Sequence, residues 1–285
     1  SLSGIRSDGK IFVSKDMGGK LDIDLSLQKS VVDFYLKKAE VPEDKVEKGV
    51  SFDSEKSNFY KKFYINGFTP VTSEFYHIGT DFLKNVLENI YNEMLTFSNI
   101  KFNFNSKVTG IERIDDNKVI VTYELPDSKF NQETFDKVVI GVGRSGHKLV
   151  ESVKQKHPKL NLSSTKVDLG VRFELPDHIV DEINKEMYEF KVKQKTITGY
   201  EVRTFCNNPS GYVTIEKYNE GEFVTVNGHS KVNSKTKNTN FAILVTHSFT
   251  EPFNDPVGYG TYISKLSNIL AGGSKVIFQK YMFRN

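Results

Sequence analysis

Two long stretches of the chain carry apolar residues at helical spacing. Leu27, Val31, Phe34 and Tyr35, widened by Val32 and Leu36, predict a helix over 25–38. Phe82, Leu83, Val86, Leu87, Ile90, Tyr91, Met94 and Leu95 form one stripe, with Thr80 as the expected N-cap. Shorter helices are expected from near His147, over 177–187, and over 256–270 before Gly272-Gly273. Elsewhere the period falls to two. Residues 101–104, 107–114, 118–125 and 137–140 read as a β-meander, with Asp115-Asp116-Asn117 and Pro126-Asp127 as turns. Further strands are expected over 168–175, 191–198, 200–206, 211–217, 222–226 and 241–248. Near the start, the turn Ser7-Asp8-Gly9-Lys10 precedes a short strand at 11–13, and the charged stretch 43–63 is expected on the surface.

The pattern centres on 135–146. The β-branched run Val138-Val139-Ile140 reads as a buried strand, followed by Gly141-Val142-Gly143-Arg144-Ser145-Gly146 and a helical segment. These six residues satisfy G-x-G-x-x-G, the dinucleotide-binding fingerprint. That fingerprint needs a βαβ unit whose second strand ends in an acid about 20 residues on. No strand at that distance ends in Asp or Glu, and Asp168 opens a strand instead. The expectation is a strand-to-helix turn in which Gly141 and Gly143 let backbone approach a ligand, within a nucleotide-binding domain begun elsewhere.

Composition narrows the classes. With 285 residues, 38% of them hydrophobic, the chain has material for one large or two modest domains. A net charge of +3 makes no basic field that would call for nucleic acid. No apolar run reaches the roughly 18 residues of a membrane span, and Ser1-Leu2-Ser3-Gly4 opens abruptly without a signal-peptide core, as a cut fragment would. The single cysteine, Cys206, rules out an internal disulfide and a cysteine zinc cage, and a reducing cytoplasm is the expected setting. The six histidines form no H-x-x-x-H pair, and no metal site is expected.

Five stretches in order resemble the FAD-dependent dehydrogenases of the NAD(FAD)-utilising type, within the glutathione-reductase-like flavoproteins. They are Ser7-Asp8-Gly9-Lys10; His77-Ile78-Gly79-Thr80-Asp81; the strand and turn 139–145; Gly170-Val171-Arg172-Phe173-Glu174; and Thr204-Phe205-Cys206 with Pro209, followed by Val226-Asn227-Gly228-His229-Ser230. The departures are as definite: the N-terminal βαβ that grips the FAD pyrophosphate is absent, the second cysteine of the pattern is Asn208, and its usual histidine is Arg144. The resemblance implies an α+β or α/β architecture. A partial FAD/NAD(P)-binding-type domain with a β-meander would occupy 1–150, a mostly antiparallel substrate domain 151–270, and 271–285 would begin the return to the FAD domain.

It further implies FAD as cofactor, held weakly or not at all by this chain alone, NAD(P)H as a candidate donor, and a small-molecule substrate. Ser7, Asp8, Gly9, Lys10, Gly141, Gly143, Arg144 and Ser145 are the candidate cofactor contacts. His77, Thr80, Arg172, Cys206, Asn207, Asn227 and Gly228 are the candidate substrate contacts; no catalytic residue is assigned. Plainer readings stand beside these: Asp-Gly and Asn-Gly are ordinary turn dipeptides, His77 is a surface or hydrogen-bonded loop histidine, Cys206 a small buried or half-buried residue, and each arginine a surface ion pair. Two rival functions remain, a flavoprotein-like binding module without cofactor and a flavin-dependent RNA-modifying enzyme touching phosphate through the lysines of 191–195 and 231–237.

Overall fold

The computed structural model describes residues 9–14, 23–53, 55–115, 117–143, 146–157, 159–160, 166–218, 222–250, 252 and 255–280. Ser7, Asp8, Arg144 and Ser145 lie outside the described residues. The fold is α+β, with helices and antiparallel strands in several sheets. The chain divides into two compact units, 1–93 with 165–285, and 94–164.

Strand β1 (Lys10–Val13) comes first, then helix α1 (Leu25–Ala39), β2 (Glu47–Ser51), α2 (Asn58–Ile65), β3 (Thr69–Pro70), β4 (Ser73–His77) and α3 (Thr80–Leu95). β4 is the centre of a three-stranded sheet ordered β1-β4-β2. Local chemistry starts the helices. The Asp24 carboxylate accepts from Ser26 N–H (2.6 Å) at the head of α1, and Ser57 Oγ accepts from Tyr60 N–H (2.9 Å) at the head of α2. Asn85 and Asn89 on α3 donate to the carbonyls of Ala39 and Lys38, which satisfies the end of α1.

Two expectations are corrected here, and a third holds only in part. α1 buries Val32 and Ala39 with Tyr35 and Leu36 alongside, while Leu27, Val31 and Phe34 face out. The helix is apolar on two sides, and only the packing of Ile78, just before α3, and of Leu83 and Val86 on α3 decides which side is covered. Thr80 is the first helical residue and not a cap: its N–H donates to Ser230 O (3.0 Å). The stretch 43–63 is exposed at more than half of its described positions, as expected, yet part of it enters the core. It supplies β2 and α2, and Phe52 is fully buried with Met187, Phe190 and Val192, packed by Phe59, Tyr60 and Phe63.

The second unit holds β5 (Lys107–Arg113), β6 (Val119–Glu124) and β7 (Phe130–Phe135) in a three-stranded meander, with α4 (His147–Lys156) after it. The first and last expected strands of that meander are not there: 101–104 is irregular, and 137–140 pairs with no described strand. Val139 is 95% exposed, so the run is not a buried strand. β-branched composition favours extended backbone, but burial needs a neighbouring ladder, and none is present among the described residues.

Beyond 165 come β8 (Lys166–Pro176), α5 (Asp177–Glu186), β9 (Val192–Lys195), β10 (Glu201–Asn208), β11 (Tyr212–Tyr218), β12 (Phe223–His229), β13 (Asn238–Ser248) and α6 (Pro256–Leu270). Five strands form one sheet, ordered β3-β9-β10-β13-β8, and β11 pairs with β12 as a separate hairpin. One face of the five-stranded sheet packs Phe173, Phe241 and Val192 against Phe190 and Phe52. β12 runs through Asn227-Gly228, paired with Thr214 and Val213, so this Asn-Gly is strand and not turn. α6 starts on Asp255, whose carboxylate accepts from Gly258 N–H (2.7 Å), with Pro256 in its first turn. Among the described residues no helix is long and apolar enough to cross a membrane.

Phe52 closes the cluster between α2, the 187–192 segment and the five-stranded sheet. Phe52→Ala is expected to destabilise the fold by about 3–5 kcal/mol, read as a lower denaturation midpoint in urea at unchanged slope.

A buried polar site in the larger unit

Lys10 and Glu189 form an ion pair at 2.7 Å, each side chain only 3% exposed. Lys10 Nζ also donates to the Asn207 carbonyl and lies 5.5 Å from the Tyr188 ring centroid. The second carboxylate oxygen of Glu189 accepts from Asn207 N–H (3.1 Å). Both acceptors of the acid are therefore engaged. β1 supplies the lysine, the link between α5 and β9 supplies the acid, and β10 supplies Asn207 where its pairing with β13 is interrupted by a bulge between Phe205 and Asn208.

A chain of amides continues from that pair. Asn207 Nδ2 donates to Asn184 Oδ1 (3.0 Å) and to Tyr188 O (2.9 Å). Asn184 donates to Thr239 Oγ1 (2.9 Å), which donates to Asp177 (2.7 Å), and Asp177 also accepts from Ser210 Oγ (2.8 Å). On the other side, Arg172 Nη1 donates to Asn240 Oδ1 (2.7 Å) and, at 3.4 Å, to Cys206 O. Asn208 donates to Cys206 O (2.9 Å) and accepts from Ser230 Oγ (3.2 Å). Asn207 Oδ1, Asn240 Nδ2 and Thr80 Oγ1 are buried without a hydrogen-bond partner.

Glycines let these stretches touch. At Gly228 a Cβ would lie 2.2–2.4 Å from Asn208 Nδ2, Arg172 Nη1 and Asn240 Oδ1. At Gly9, with φ +73°, it would lie 2.7 Å from Gly79 O, and Ile78 N–H donates to Gly9 O (3.0 Å). His77, next to Lys10 in register, stacks on Tyr188 at 4.9 Å. A cleft of about 400 Å³ opens beside the network, walled by Phe75, Asn184, Tyr188 and Ser210 with Glu47 and Lys48 at the rim.

Gly9, Lys10, His77, Thr80, Arg172, Cys206, Asn207 and Gly228 thus belong to one region of the larger unit. Asn227 points away and donates to Glu216 (2.8 Å) within the hairpin. Gly141 and Gly143 belong to the smaller unit, where a Cβ at either meets nothing within 4 Å; only the φ of +63° at Gly143 calls for glycine. Cys206 has a φ of 55° at the bulge, and Asn208 stands where a partner thiol would be needed for dithiol chemistry. Glu189, Tyr188, Asn184, Asn240 and Ser230 are members that periodicity could not find. Glu189 follows a helix inside an apolar stretch, Met187 to Phe190, and that misplaced acid was the one signal available.

No family model matches the sequence. An uncharacterised protein of Clostridium beijerinckii is 25% identical over 183 residues, which are 60% of this chain and 32% of that protein. The chain therefore matches about a third of the length of that relative.

Lys10→Met leaves Glu189 buried without its cation and is expected to cost about 3–5 kcal/mol, part of which Glu189→Gln in the same chain restores, as a double-mutant cycle by urea denaturation would measure. Gly228→Ala is expected to destabilise by about 1–3 kcal/mol, since the added methyl meets three hydrogen-bonded side chains at once; Val226→Ala on the same strand serves as the comparison.

Proposed function

We propose that the larger unit is the substrate-binding portion of an FAD-dependent oxidoreductase acting on a small molecule, with NAD(P)H a candidate donor and the cytoplasm its setting. One observation carries the reading. Stretches 9–10, 77–81, 206–208 and 228–230, far apart in the chain, meet with Arg172 around the Lys10–Glu189 pair. These are stretches on which the family resemblance rests, and chance matches would have no reason to converge.

The donor set suits a flavin ring in kind. An isoalloxazine edge alternates hydrogen-bond donors and acceptors, and Asn207 Oδ1, Asn240 Nδ2 and Thr80 Oγ1 are buried polar atoms still lacking partners. Bound FAD would supply the electron transfer. The part of this chain is to position: Lys10 is held by Glu189, Arg172 is held by Asn240, and the adjoining cleft has room for a small substrate beside Phe75 and Tyr188.

The test is the visible spectrum of the protein purified from the complete reading frame that contains these residues. A flavin absorbance that NAD(P)H bleaches is expected, with flavin content lowered by Gly228→Ala. A colourless protein that takes up no added FAD would sink the reading and favour the cofactor-less binding module, to which Asn208 in place of a second cysteine already lends weight.

A further inference from the structure

The second face of the five-stranded sheet carries charges that the polar site does not use. Register places Arg203 opposite Lys193 on one side and Leu244 on the other, with Gly170 beyond Leu244. Side chains alternate along a strand, so Lys191, two residues before Lys193, joins the same face. Phe205 lies there as well, 42% exposed, with the Arg203 guanidinium 5.0 Å from its centroid.

Lys191 is only 9% exposed. The charged groups around it are Arg203, Lys193, Glu189 and Asp168. Both acids already have partners of their own. Glu189 accepts from Lys10 and from Asn207 N–H, and Asp168 accepts from Arg203 (2.6 Å) and from Thr246 Oγ1 (2.6 Å). Farther along, Glu201 stands opposite Lys195 and offsets it. With Lys10 paired to Glu189 and Arg203 paired to Asp168, the positive charges of Lys191 and Lys193 are left over. Neither makes an ion pair among the described residues. An uncompensated buried ammonium is costly, and a second cation beside it makes it more so. Burial, then Arg203 and Lys193, hold the Lys191 amine below the ordinary lysine range, the direction expected of a site short of negative charge.

We propose that Lys191 and Lys193, flanked by Arg203, hold the dianionic phosphate of a small phosphorylated ligand, whose body lies over Phe205. Two ammonium groups match a dianion in charge, and the exposed Phe205 ring beside Arg203 offers an apolar surface to a flat substituent. This assignment stands on the sheet alone and does not require flavin.

Calorimetric titration of the 285-residue chain with inorganic phosphate, with phenyl phosphate, and with chloride at matched ionic strength tests it. Saturable binding of phosphate and tighter binding of phenyl phosphate are expected. Lys191→Met and Lys193→Met should each weaken both by at least about tenfold, or about 1.4 kcal/mol, while Lys84→Met on the exposed side of α3 changes neither. Should Lys191→Met fail to fold, Lys193→Met at its half-buried position decides alone. Heats no larger than those of chloride, or equal losses in Lys84→Met, would overturn the proposal. So would binding of a single-stranded oligonucleotide by a chain that ignores both small phosphates, since the face would then be a polyanion surface.

Discussion

The buried pair of Lys10 and Glu189 is the interaction on which the larger unit depends. Two ions removed from water lose several kcal/mol of hydration each, and attraction alone does not reliably return it. Here the geometry answers that cost on every side. The ammonium meets a carboxylate, a carbonyl and an aromatic face, and the carboxylate meets the ammonium and a backbone N–H. The pair also joins two sheets. Lys10 sits on β1 of the three-stranded sheet, and Asn207 sits at the bulge of β10 in the five-stranded one.

The amide network follows from that junction. A bulge turns Asn207 and Asn208 out of the regular ladder, and both are then fully buried. Amides in such a place must find partners, and nearly all of them do, through Asn184, Tyr188, Cys206 and Ser230. Gly228 and Gly9 are required because backbone and side chains approach there more closely than a Cβ allows. Asn207 Oδ1, Asn240 Nδ2 and Thr80 Oγ1, buried without hydrogen-bond partners, lie in this same region, where their unspent capacity is available to a ligand.

The two faces of the five-stranded sheet divide the labour of the unit. One is aromatic and closed, with Phe173, Phe190 and Phe241 stacked into the core that Phe52 completes. The other holds Arg172, Asn208 and Asn240 of the polar site at one end and an excess of positive charge around Lys191 at the other. The smaller unit presents a different case. Its meander is complete in β5, β6 and β7, yet the extended run after it stays outside the sheet. Strand composition without a ladder partner produces extended chain and no burial.

What the residue order determined by itself was local: α1, α3, α4, α5 and α6, the positions of β1, β5, β6 and β8 to β13, and His77, Thr80 and Gly228 as places of interest. Caps, stripes and alternation act over a few residues, so they are readable without a fold. Which side of α1 is buried, that Phe52 lies in the core, that 138–140 joins no sheet, and that Glu189 is the partner of Lys10 were decided only in three dimensions. Each of these depends on what another segment, distant in sequence, places opposite. An ion pair between residues 10 and 189 leaves no periodic trace, because its stability comes from the desolvated space that the assembled sheets create around it.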